Sequence, residues 1–125
     1  MAVILVVEDA IDVAKVLARR LTDCGYKTCV ANDPGTGAAM AVSEKPDLIL
    51  LDLKLPEGGG LSMLKRLKTS EKTREIPIVV VSGVRDVDAK NNALKEGAEA
   101  FIEKPYQIEE LKAVIRGVLE KRGKI

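Results

Sequence analysis

Runs of β-branched and leucine residues recur at wide spacing along the chain, at residues 3–7, 28–31, 48–51 and 78–81, with a weaker run at 100–102. The runs 3–7, 48–51 and 78–81 are apolar at every position rather than alternating. Strands covered by helices on both faces have this character, so a parallel sheet is predicted. Between the runs the apolar spacing becomes helical. Over 12–21, Val13, Val16, Leu17 and Leu21 share one face at offsets of 0, 3, 4 and 8. Gly25 stands where a helix C-terminus favours a left-handed residue, and Asp33 with Pro34 suits the cap and first turn of a second helix. Leu61, Leu64 and Leu67 mark a third helix, and Asp86 is placed to cap a fourth over 87–96 that stops at Gly97. Ile108, Leu111, Val114, Ile115, Val118 and Leu119 form the stripe of the last. The fourth helix is the least apolar and is expected to be the most loosely held. Strand and helix alternate five times, with no repeat or low-complexity tract. With right-handed crossovers this predicts an α/β, doubly wound open sheet in one domain.

Composition narrows the chemistry. The 125 residues carry 20 basic and 19 acidic side chains, a net charge of +1, without the basic excess of a surface built for nucleic acid. The core must be aliphatic, since the chain has one Phe, two Tyr and no Trp. Cys24 and Cys29 have no histidine partners for zinc and read as small buried apolar residues. The absence of histidine removes imidazole as nucleophile, general base or metal ligand. No apolar stretch approaches the ~20 residues that span a bilayer, and the apolar start lacks a basic segment before it. A soluble cytoplasmic protein is expected.

In doubly wound sheets ligands bind beyond the carboxyl ends of the strands. Glu8 and Asp9 follow the first run, Asp52 the third, Ser82 the fourth and Lys104 the fifth. Acidic residues and serine there also suit helix N-termini, which accounts for Asp9 or Ser82 taken singly. It accounts poorly for Asp52 directly after a wholly apolar run. Three carboxylates ~5 Å apart repel by roughly 3 kcal/mol per pair at an effective dielectric near 20. They must keep protons or share a cation, and hard oxygen donors suit Mg²⁺ or Mn²⁺. With the Lys104 ammonium and the Ser82 hydroxyl added, the rim suits a phosphoryl group, with an aspartate as nucleophile.

The segments VVEDA (6–10), LLDLKLPEGGG (50–60), VVVSG (79–83) and EKP (103–105), in this order and each at a predicted strand end, carry a resemblance over essentially the whole chain. The sequence resembles the receiver domain of two-component response regulators. The resemblance implies a flavodoxin-like sheet of order 2-1-3-4-5 with five helices. It implies that Asp52 accepts a phosphoryl group from a histidine kinase or histidine phosphotransfer protein. Asp9 and Asp52 would be direct Mg²⁺ ligands, with Glu8 acting through water and the Lys54 backbone carbonyl completing the set. Lys104 would pair with the phosphoryl group, Ser82 would be the switch hydroxyl and Phe101 the switch aromatic. The bond before Pro105 would be cis. A downstream protein would read the fourth helix, fifth strand and fifth helix, with no direct contact to nucleic acid or membrane. Such a domain catalyses only its own phosphoryl transfer and loss. Pro56 and Gly60 also match the family's spacing, and Lys54 and Val84 occupy positions that tune phosphate loss. Gly83 replaces a common alanine and is expected to loosen the loop carrying Ser82; Gly58, Gly59 and Gly60 are expected to make the loop after Asp52 mobile.

A phosphatase of the haloacid-dehalogenase type shares the nucleophilic aspartate and magnesium but needs a second aspartate two residues on, where this chain has Lys54. A nucleotide-binding glycine turn after the first strand and a Walker lysine are both missing. The chain stops just after the last helix, so a single receiver without an output domain is expected. It either stands alone or comes from a longer DNA-binding regulator or hybrid kinase.

Overall fold

The computed structural model describes residues 1–55, 59–83 and 87–125, so Pro56, Gly58, Val84 and the cap at Asp86 lie outside the described residues. The elements run β1 (Val3–Val7), α1 (Ile11–Asp23), β2 (Lys27–Ala31), α2 (Pro34–Ser43), β3 (Leu48–Asp52), α3 (Gly59–Thr69), β4 (Ile78–Ser82), α4 (Val87–Lys95), β5 (Ala100–Glu103) and α5 (Ile108–Lys121). The strands pair in parallel in the order β2-β1-β3-β4-β5. This is the flavodoxin-like arrangement that the resemblance implied.

Successive side chains of a strand point to opposite faces, and each face has its own aliphatic cluster. Ile4, Val6, Leu48, Leu50, Val79 and Val81 join α1 and α5 residues such as Leu17, Leu21, Leu111 and Ile115 on one side. Leu5, Val7, Ile49, Leu51, Ile78 and Val80 join Ala41, Met63, Leu64, Leu67 and Ala93 on the other. The central strands β3 and β4 are buried throughout, which is why their runs do not alternate.

The helix ends follow from their sequence. Asp33 Oδ1 accepts from the Thr36 amide at 2.8 Å, with Pro34 in the first turn of α2. Gly25, at φ 97°, closes α1: its amide reaches the Thr22 carbonyl and the Tyr26 amide reaches Leu21.

Three expectations change. Val13 and Val16 are 47% and 56% exposed, whereas Ala14, Leu17 and Leu21 are buried. The stripe that packs is therefore rotated from the most apolar face, because small Ala14 is the residue against the sheet. Cys24 is exposed rather than buried, since it is the C-cap of α1, and Cys29 is half-buried on edge strand β2. Gly59 and Gly60 open α3 instead of belonging to a mobile loop.

Candidate functional site

The residues that follow the strands converge on one rim, at the point where strand order reverses between β1 and β3. One carboxylate oxygen from each of Glu8, Asp9 and Asp52 lies within 4.8 Å of the others. Glu8 and Asp52 are buried and Asp9 is exposed. The Lys104 ammonium lies 3.1 Å from Asp52 Oδ2 and 3.2 Å from Glu8 Oε1. Asp52 Oδ1 accepts the Lys54 amide at 2.9 Å. The Lys104 amide donates to the Ser82 carbonyl at 2.9 Å, tying β5 to the buried end of β4. Phe101 stands opposite Val80 in the β4–β5 register and packs half-buried against the cluster on the α2, α3 and α4 side. The Lys104–Pro105 peptide is cis.

Burial holds the Glu8 carboxyl above its ordinary pKa, and its contacts with Asp9 and Asp52 add to the rise against the Ala10 amide. Burial also works against charge on Lys104, but Asp52 and Glu8 outweigh it and hold that ammonium above its ordinary value. The rim thus has more negative charge than one lysine neutralises. Its donors are all oxygen, with neither histidine in the chain nor cysteine in the cluster, a set that fits Mg²⁺ or Mn²⁺ rather than a softer ion.

A pH dependence follows. Because the folded chain holds the Glu8 proton more tightly than the unfolded chain, stability rises as pH falls through the folded pKa, and the gain is complete below the ordinary value of 4.5. In chelator, Glu8→Gln is expected to exceed wild type in stability at about pH 8 and to lose that lead by about pH 4. Urea unfolding across this range checks it, and a lead that is constant or grows in acid refutes it. The depressed carboxyl of Asp33 is common to both chains and cancels.

Two residues at the rim were not singled out in the sequence. Asn32 donates to the Glu8 carbonyl at 2.8 Å and fixes the β1–α1 turn. Tyr106 lines an open groove of about 770 Å³ between α1 and residues 104–108, and also a small cavity beneath the site. Neither carries a spacing signal, although Tyr106 follows the EKP segment directly.

Residues 4–116 match the response regulator receiver domain family. The chain belongs to that family. This receiver is 37% identical over 120 residues to the phosphate regulon transcriptional regulatory protein PhoB of Pseudomonas aeruginosa, covering 96% of this chain and 52% of PhoB. It is 32% identical over 122 residues to the DNA-binding dual master transcriptional regulator RpaA of Synechocystis, covering 98% of this chain and 51% of RpaA. Among solved structures, the CheY-like receiver domain protein of Methanospirillum hungatei superposes with a TM-score of 0.91 at 27% identity, covering 99% of this chain and 98% of that one. The receiver spans about half the length of the curated relatives it matches. Among the described residues no helix is long and apolar enough to cross a membrane.

Proposed function

We propose that the chain is a phosphorylation-controlled switch in which Asp52 accepts a phosphoryl group from a histidine kinase or histidine phosphotransfer protein. The observation that carries this reading is the buried Asp52 carboxylate, held by the Lys54 amide and the Lys104 ammonium inside a cluster of three acids. An Asp52 oxygen attacks phosphorus, the bond from phosphorus to the donor imidazole nitrogen breaks, and the donor keeps that nitrogen's electron pair. Asp9 and Asp52 would hold Mg²⁺ or Mn²⁺ directly, Glu8 through water, with the Lys54 carbonyl as a further ligand. The ion would supply positive charge for the phosphoryl oxygens. Lys104 pairs with a phosphoryl oxygen, and Ser82 moves to donate to another.

Movement of Ser82 leaves room for Phe101 to turn, which repacks the surface of α4, β5 and α5 that a downstream protein reads. Ala93 is the one fully buried α4 residue among those described, and a weakly held element suits a part that must move. The test is acetyl phosphate, or beryllofluoride, each with Mg²⁺. One phosphate per chain and chemical-shift changes at Ser82, Phe101 and α4 are expected, and neither in chelator. A wild-type chain that takes no phosphate and shows no shift change would remove the proposal.

Identity to transcriptional regulators about twice as long, one of them named as DNA-binding, favours a second setting, in which the same switch is one part of such a regulator. The reading frame beyond codon 125 distinguishes this from a receiver that acts alone.

A further inference from the structure

Val13 and Val16 are exposed on α1, yet they do not stand alone. With Leu17 they line the α1 side of the open groove of about 770 Å³, opposite Pro105, Tyr106 and Ile108. Single apolar residues at a surface are ordinary, whereas a contiguous apolar lining marks a surface that takes a partner. Two charges end the lining on the α1 side, Asp12 in the first turn of the helix and Arg20 in the last. The helix dipole accounts for the sign of each. It does not account for the exposed valine midway between them. Asp12, Val16 and Arg20 are spaced by four residues and form one ridge along the helix, with steps of about 6 Å. Among the described residues neither charge has an ion pair within the chain, whereas Arg19, outside the groove, pairs with Asp23 at 3.6 Å.

We propose that a second copy of this chain occupies the groove, the two α1 helices packing antiparallel about a two-fold axis at Val16. In an isologous pair residue i of one copy meets residue j of the other, and j meets i. An axis at Val16 sets Asp12 of each copy against Arg20 of the other, with the two Val16 side chains together between them. The order acid, valine, base is therefore complementary to itself when reversed. A partner of one charge sign would instead meet a like charge at one end of the groove. Ridges of this four-residue spacing interlock between helices at about −50°, with axes about 8–10 Å apart, close enough for the valines to touch. Lys104 lines the same groove and reaches Asp52 at 3.1 Å, so a paired copy covers one flank of the acidic rim. The pairing needs only the surface of α1 and residues 105–108, and it stands apart from the phosphoacceptor reading of Asp52.

Sedimentation equilibrium over about 5–500 µM chain tests this. A weak dimer is expected, with a mass near 13.5 kDa at the low end that rises towards twice that value at the high end. Val16→Asp puts a carboxylate of each copy at the axis and is expected to weaken association at least about 10-fold. Asp12→Arg alone and Arg20→Asp alone each set like charges together at both ends, and each should weaken it about 10-fold. The double variant, and an equimolar mixture of the two single variants, should return to within about threefold of wild type, because opposite charges face each other again. All three positions are exposed, so the variants should fold, which their melting temperatures check. Val42→Asp, at an exposed position of α2, is the control and should leave association unchanged. A wild-type chain that keeps the mass of one copy throughout overturns the proposal and leaves the groove to a different protein. So does a dimer that Val16→Asp leaves intact, one that Val42→Asp weakens equally, or one in which combining the charge variants restores nothing.

Discussion

Asp52→Asn is expected to abolish phosphate uptake from acetyl phosphate and the Mg²⁺-dependent response to beryllofluoride while the chain stays folded. The carboxamide has no anionic oxygen to attack phosphorus, and loss of a nucleophile typically costs at least about 10³-fold. The change also removes one of three clustered negative charges, so divalent ions should bind more weakly. Stability moves less, because two effects oppose each other. The amide oxygen can still accept the Lys54 amide, but its NH₂ group cannot accept from Lys104, a loss of about 1.5–3 kcal/mol. Against this, the raised Glu8 carboxyl loses a like-charged neighbour, and Lys104 keeps Glu8 as its partner. The melting temperature in chelator should therefore stay near wild type. Phosphate per chain, by intact mass, checks the chemistry. Uptake by Asp52→Asn at the wild-type rate would refute the assignment of Asp52.

The rim was legible because parallel strands buried on both faces leave long apolar runs whose ends are visible. Asp52 stands out in the sequence because four apolar residues precede it and β3 is buried along its length. Strand order is different, since a crossover helix of either face looks alike in one dimension, and 2-1-3-4-5 came from the family resemblance. Helix phase was misread in α1 for a physical reason. The helix has two apolar faces, and periodicity weights Val13 and Val16 above Ala14. A small side chain lets the helix sit close to β1, so Ala14 faces the sheet and the valines border the groove. Tyr106 went unseen because the groove it lines exists only once α1 is packed beside residues 104–108.

Gly60→Ala should lower folding stability by roughly 2–4 kcal/mol, although alanine is the better helix former. Gly60 lies in the first turn of α3, and a Cβ built there falls 2.4 Å from the Leu53 Cα, 2.5 Å from its oxygen and 2.7 Å from its carbonyl carbon. These are backbone atoms, so no side chain can swing aside. Either α3 or the turn after Asp52 must shift, and the propensity gain of about 1 kcal/mol cannot offset that overlap. Gly117 is the matched control. It lies within α5 with nothing within 4 Å of a built Cβ, so Gly117→Ala should stabilise by about 0.5–1 kcal/mol. The two substitutions also separate stability from chemistry. Leu53 immediately precedes Lys54, whose amide holds Asp52 Oδ1, so a shift of this turn moves the Asp52 carboxylate. Gly60→Ala should therefore weaken the beryllofluoride response under conditions where the chain is still folded, whereas Gly117→Ala should leave it unchanged. Urea unfolding and a Mg²⁺-beryllofluoride titration of both variants make the comparison. Equal stabilisation by the two alanines would show that α3 does not need the close approach to the turn that carries Lys54.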